Sequence, residues 1–480
     1  MSALLNLAIW LPAGGAIIVA LLPARAARWI AVVVSGIALL LALALALNYN
    51  PAIPAFASTN VPLVPQLGIN YAVGLDGLSL PMFVLNALLV FLAVLISWNV
   101  EPRPRQYFAL VLLLETAVAG VFSAVDFFLF FLFWELELAP MFLLIGVWGG
   151  ARREYAAMKF ILYTVAGSAF MLVGIFVLYF AAHTFNMQLL AQQRLAPELQ
   201  ALIWVLLFIG FAVKVPVFPF HTWLPDAHTE APTAISVLLA GVLLKMGAYG
   251  ILRANLTILP DASRQFALAL GVLATINIVY GAFLAITQSD MKRVIANSSI
   301  SHMGYVLLGA SALTPIGIEG AVFQMFTHGT ITGLLFMMVG LVYDRTHTRT
   351  IADLGGLAAR MPKIAVLFLV AALASLGLPG LAGFIAEFLV FLGSLPVWGV
   401  PTILGVFTIV ITAGYMLWLV ERVFFGPERP EWAHVGDASP REVVTVAMLV
   451  AVIVLIGVFP SVLGNMITAG VGPIAALYHA

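Results

Sequence analysis

Apolar runs of membrane-spanning length follow one another along almost the whole chain. They lie near residues 4–22, 28–47, 79–98, 107–125, 127–148, 157–181, 201–220, 231–252, 265–286, 294–312, 317–342, 364–386 (extending toward 395), 402–425 and 443–464. About 20 apolar residues, rising 1.5 Å each, cross the hydrocarbon core of a bilayer. A helix satisfies its own backbone there, so a bundle of helices is the fold such runs allow. The reading is an all-α polytopic membrane protein with about 14 transmembrane helices. Of 480 residues, 63% are hydrophobic and 9% charged, a balance foreign to soluble domains. The first run has no basic residues before it and is read as a retained helix rather than a cleaved signal.

Composition removes several function classes. The formal net charge is zero, which suggests no nucleic-acid partner. There is no cysteine, hence no disulfide, iron–sulfur ligation or thiol chemistry from this chain. No glycine-rich phosphate loop occurs. Sixteen of the 21 Lys and Arg fall in alternate loops and three in the others. The richer side is expected to be cytoplasmic, with both termini on the opposite side.

The remaining two basic residues, Lys214 and Lys245, lie inside apolar runs. Lys214 stands just before Pro216 and Pro219, in FAVKVPVFPFHTWLPDAHTEAPTAISVLLAGVLLKMGAYGILR, Phe211 to Arg253. A lysine at membrane depth costs about 2.5–3.5 kcal/mol on insertion scales and is a functional candidate. A proline in a spanning helix frees carbonyls that survive only against protein or a wet cavity. A similar pattern recurs later, where Gly377, Pro379, Gly380 and Gly383 precede Glu387. Two interrupted helices placed alike in two halves predict inverted five-helix repeats. The expected division is 1–104 (helices 1–3), 105–253 (first repeat and half-channel), 254–425 (second repeat and half-channel) and 426–480 (helix 14). Breaks are expected in the seventh and twelfth helices, near Pro216 and Pro379.

Eight ionisable residues fall in apolar runs: Glu115, Glu135, Glu137, Lys214, Lys245, His302, His328 and Glu387. Buried charges must pair or neutralise. Glu135 and Glu137 lie two apart, about 200° around a helix, so they face different partners. Glu135 is expected to meet Lys214 and Glu137 to point away. Static readings compete with functional ones. A Glu135–Lys214 pair could be structural only, and the two histidines could simply satisfy carbonyls. His221 and His228 are read as surface groups capping the broken helix, and Asp226 as an N-cap. The spacings suit no metal.

These residues resemble a known family. The Phe211–Arg253 stretch is very similar to the antiporter-like subunits of respiratory complex I (NADH:quinone oxidoreductase). It is most similar to the chain-4, or M-type, subunit. FWELELAPMFLL, KRVIANSSISHMGYVLLG, LVYDRTHTRTI and LPGLAGFIAEFLVF fit the same subunit. The Lys214 motif is shared with L- and N-type subunits and with Mrp-type sodium/proton antiporters. The resemblance implies proton translocation through Glu135, Lys214, Lys245, His302, His328 and Glu387. Glu137, Glu115 and His221 are secondary candidates, and Glu137 departs from many bacterial M-type chains. It also implies that this chain binds no cofactor. NAD(P)H or ferredoxin, FMN, iron–sulfur clusters and quinone would belong to partner subunits. Implied partners are the L-, N-, K-, A-, J- and H-type membrane subunits, the hydrophilic arm and lipids. The implied location is a bacterial inner or thylakoid-type membrane. An autonomous Mrp-type cation/proton exchanger is the alternative.

Overall fold

The computed structural model describes residues 1–53 and 55–479. Two helices, α1 (Ser2–Leu21) and α2 (Ala24–Leu47), lead into an antiparallel hairpin of β1 (Phe56–Val64) and β2 (Ile69–Leu75). Then come α3 (Ser79–Ile96), α4 (Pro104–Ser123), α5 (Phe127–Leu136), α6 (Leu138–Trp148), α7 (Arg153–Ala182) and the single turn α8 (Met187–Leu190). They are followed by α9 (Pro197–Lys214), α10 (Trp223–Glu230), α11 (Thr233–Leu238), α12 (Leu244–Gly250), α13 (Pro260–Ile286), α14 (Met291–Ser311) and α15 (Pro315–Thr346). The last elements are α16 (Pro362–Ser375), α17 (Ala382–Ser394), α18 (Gly399–Phe424), α19 (Pro440–Val458) and α20 (Ser461–His479). Residues Leu239–Leu243 and Ile251–Leu256 are π-helical, so α11 to Leu256 is one continuous rod.

By length and composition, 13 of the described helices can cross a membrane. Twelve of these coincide with expected spans. The other two expected spans are α14, whose NSSISH run lowers its hydropathy, and the α16–α17 pair, which is split in two. The thirteenth, α20, was not expected, and residues 426–480 hold two helices rather than one. Several contacts of α20 lie at one end of the bundle. Gly470 packs on Leu78 just before α3, and Tyr478 Oη donates to Leu256 O at 2.6 Å. Arg264 in the first turn of α13 donates to Leu477 O, and His479 Nε2 lies 3.0 Å from Leu313 O between α14 and α15. So α20 lies across the face that carries the hairpin, and 14 positions remain for spanning helices.

The two halves repeat in backbone detail under a shift of 164 residues. Asp126 and Asp290 each cap a helix, accepting from Phe128 N and Leu129 N in one case and Lys292 N and Arg293 N in the other. Each sits in a two-residue strand pairing, with Asn186 and with Thr350. The long helices α7 and α15 end alike, at His183 and His347, both left-handed with φ of 52°. The halves point opposite ways. Asp126 accepts from Asn70 N of the hairpin at 3.2 Å, whereas Asp290 meets Arg349 at 3.5 Å on the face rich in Arg and Lys. Five helices per unit is an odd number, which requires this inversion.

Small residues let helices touch. A Cβ on Gly281 would lie 2.6 Å from Ser301 N, and one on Gly304 would lie 2.8 Å from Ile278 N. So α13 and α14 meet backbone to backbone, the packing that replaces hydrophobic drive inside lipid. At the centre stand α15 and the Thr233–Leu256 rod, whose spanning windows are entirely buried. A helix apolar all round belongs in the core, and these two carry His328 and Lys245.

Candidate functional site

Both expected breaks are present. The first follows Lys214, and helix resumes at Trp223. Its freed backbone is satisfied by side chains. Asn277 of α13 donates Nδ2 to Pro216 O at 3.1 Å and accepts from Phe218 N at 2.8 Å. Trp223 Nε1 donates to Val213 O at 2.9 Å. The second break runs from Leu376 to Leu381. Gly377 has φ of 76°, and a Cβ there would stand 2.5 Å from Glu387 Oε2, so only glycine lets the carboxyl reach the break. Asn277 was missed from sequence; an amide in the middle of an apolar run was the available signal.

Lys214 ends α9, fully buried, in direct ion-pair contact with Glu137. Its ammonium also faces the rings of Trp134 at 5.2 Å and Phe160 at 5.6 Å. This corrects the expectation that Glu135 would be the partner. The inward stripe of α5 and α6 is Phe130, Phe133, Trp134, Glu137, Leu138, Met141 and Leu144. Glu137 falls on that helical stripe and is 0% exposed, whereas Glu135 is only partly buried. Glu135 still acts on the Lys214 charge through space. The two carboxylates do point apart, as their spacing requires, with their places exchanged.

A close glycine contact joins Lys214 to the central rod. A Cβ on Gly247 would lie 2.7 Å from Phe211 O and 3.0 Å from Lys214 Cβ. Gly247→Val is expected to push α12 off α9, an overpacking cost of about 1–3 kcal/mol. Proton pumping by the assembled complex should fall with it, and a variant that pumps normally would show that this approach is unnecessary.

Lys245 opens α12 just after one π-helical segment and before another, a form frequent at functional sites. Its Nζ donates to Ala240 O at 2.5 Å and lies 2.6 Å from His328 Nδ1. Among the described residues no carboxylate forms an ion pair with it. The His328 ring stands 5.5 Å from that of His302, centroid to centroid. His302 Nε2 is 3.3 Å from Ser375 Oγ, and its Nδ1 is 3.6 Å from Glu387 Oε1. These groups line a void of about 10 Å³ with Gln324, Thr327 and Thr332. That is room for roughly one water molecule. Lys245, His328, His302 and Glu387 therefore form one polar line.

Other candidates lie off this line. Glu115 is buried in α4 with neither carboxyl oxygen partnered; Asn86 Nδ2 donates to its backbone carbonyl. His221 is buried beside the first break, its ring edge-on to Tyr280. Residues 223–230 are helical rather than a loop, so Asp226 is not an N-cap but lies inside α10. It pairs with Lys159 at 2.8 Å, Arg293 at 3.5 Å and Arg152 at 3.8 Å. Those cations, drawn from α7, α14 and the turn before α7, supply the positive charge that residues 221–230 lack. His228 is wholly buried, not a surface group.

A line of buried Lys, His and Glu through inverted repeats, with a broken helix in each, defines an antiporter-like ion-translocating membrane subunit. Residues 124–412 match the family described as NADH:quinone oxidoreductase/Mrp antiporter, transmembrane. The chain belongs to this family, and its relatives place it with the chain-4, or M-type, subunits. It is 44% identical over 473 residues to NAD(P)H-quinone oxidoreductase chain 4 of a Picosynechococcus species, covering 95% of this chain and 89% of the relative. It is 40% identical over 503 residues to NADH-quinone oxidoreductase subunit M of Rhodobacter capsulatus, covering 100% and 98%. Among solved structures, it matches a chain of respiratory complex I from Thermus thermophilus with TM-score 0.92 at 33% identity, covering 98% of this chain and 99% of that one.

Proposed function

We propose that this chain moves protons through Lys214, Lys245, His328, His302 and Glu387 as a membrane-arm subunit of a complex-I-type quinone oxidoreductase. The observation that carries the reading is the contact of Lys245 Nζ with His328 Nδ1, 2.6 Å apart at the centre of the bundle. It joins the first half, which holds the Glu137–Lys214 pair, to the second, which ends at Glu387. In this reading a charge arriving from a neighbouring subunit draws Glu137 from Lys214. The lysine then gives its proton toward Lys245, and His328 and His302 pass it to Glu387. Exporting one charge against about 100 mV costs about 2.3 kcal/mol. With no cysteine in the chain, that energy is expected from partners: NAD(P)H or ferredoxin, flavin, iron–sulfur and quinone chemistry in the hydrophilic arm, relayed by L-, N-, K-, A-, J- and H-type subunits. Residues 105–253 and 254–425 serve as the two half-channels. The basic face lies in the cytoplasm by the positive-inside rule, in a bacterial inner or thylakoid-type membrane.

Glu387→Gln tests the reading. It keeps the shape against Gly377 and removes the titrating group of the second half. Pumping in reconstituted vesicles is expected to fall by about 100-fold, the lower end of what a positioned proton-transfer group contributes. Quinone reduction with an uncoupler present should persist. Undiminished pumping would remove Glu387 from the path. The family also includes Mrp antiporters. Pumping that follows a sodium gradient rather than quinone reduction would favour that second reading.

A further inference from the structure

His228 is one of the buried titratable groups that this path leaves unused, with Glu115 and His221. It is 0% exposed, and neither ring nitrogen has a hydrogen-bond partner among the described residues. Its place is fixed. Ser236 Oγ donates to its backbone carbonyl at 3.0 Å, and its ring lies flat on Phe336, 4.8 Å between centroids and 5° between planes. Phe336 stands eight residues beyond His328 on α15, so His228 lies about 12 Å along that helix from His328. Thr332 comes midway between them and lines the void beside His302. The charged or titratable groups within electrostatic reach of the His228 ring come from three elements: Lys245 of α12, Lys292 of α14 and His328 of α15. Lys292 is buried at the basic face, donates to Ala231 O, and has Glu230 and Asp290 as carboxylate neighbours. A phenyl ring would stack on Phe336 as well. Two idle nitrogens instead lose their hydration, and such groups call for a water or a function.

We propose that His228 carries protons from the basic face to the Lys245–His328 centre, entering beside Lys292 and Glu230 and leaving along the Thr332 side of α15. One ring nitrogen takes a proton from water at the Lys292 end. The other nitrogen releases its own proton, through water beside Thr332, whose hydroxyl donates to His328 O, to the His328 ring. One proton enters and one leaves, with no change of oxidation state. The proposal rests on the relay reading and adds its uptake branch.

The test uses the whole complex in vesicles, with assembly checked on native gels. His228→Phe keeps the stack on Phe336 and removes both nitrogens; His228→Gln keeps polarity without an imidazole. Both are expected to lower protons pumped per electron by about 100-fold, because a proton-transfer group has been lost. Wild-type pumping by assembled His228→Phe would make His228 a packing residue and overturn the proposal. Should the His228 variants not assemble, Lys292→Gln reads the same branch without touching the ring. Reduced pumping supports the proposal and unchanged pumping overturns it. Lys214→Ala run alongside separates the two ideas. If it fails to pump while His228→Phe pumps, only the branch falls; if both pump, the relay falls too.

Discussion

Lys214→Ala is expected to abolish redox-driven proton pumping while leaving the complex assembled. The lysine is the only ionisable group at the end of α9, and it touches Glu137 where the helix breaks. Alanine preserves helix propensity but binds no proton. Removing one member of a buried ion pair typically costs about 3–5 kcal/mol, because the other charge is left unpaired. Here the member left behind is a carboxyl group, which can stand neutral as the acid, so the bundle should tolerate the loss. The break itself does not depend on the lysine, because Asn277 and Trp223 hold its backbone. Lys214→Arg should fail as well, since arginine stays charged at any working pH and cannot hand its proton on. The measurement is acidification coupled to quinone reduction in reconstituted vesicles, with complex content followed on native gels. An assembled Lys214→Ala complex that pumps like wild type would reduce the residue to a structural partner of Glu137.

Much of this architecture could be read from the residues, for physical reasons that also mark where reading stopped. Spanning helices announce themselves by length of apolar sequence, and a helix break by Pro or Gly near a buried charge, so both broken helices were placed. The inverted repeat was visible only as an order of features, because the halves share backbone geometry rather than residues. Asp126 and Asp290 perform one capping role amid unrelated neighbours. The helix α20 was missed because its run is weakly apolar, with mean hydropathy 1.3 against 1.6–2.9 for the other candidate spans, and it holds Pro473; its contacts show where it lies. His228 was misplaced because HTWLPDAHTE reads as a polar loop. All but its first two residues instead form α10, whose charges are met by cations from α7 and α14. The exchange of Glu135 and Glu137 has a similar cause. In FFLFFLFWELELAP nearly every position is apolar, on the lipid side as well as the inner side. Hydrophobic periodicity therefore gives the angle between the two carboxylates but not which of them faces inward.

Glu137→Gln is consequently expected to do far more damage than Glu135→Gln. The glutamine at 137 would leave the Lys214 amine against a neutral amide in a site with no exposure. If the ammonium stays charged, the cost is that of a broken buried pair, roughly 3–5 kcal/mol. If it becomes neutral instead, the lysine has lost the carboxylate whose approach and retreat would hold and release its proton. Pumping should fail on either branch. Glu135 is only partly buried, makes no ion pair with Lys214 and acts on it only through space. Glu135→Gln, which leaves the Glu137–Lys214 contact in place, should therefore reduce pumping less than Glu137→Gln does. The family motif alone assigns the lysine's partner to Glu135, whereas the packing of α5 and α6 assigns it to Glu137, so this pair of variants separates motif from geometry. Pumping per electron and thermal stability of the purified complex read both effects. A Glu135→Gln complex that fails beside a competent Glu137→Gln complex would restore the motif assignment, with Glu137 then filling a core position beside a lysine that answers to another charge.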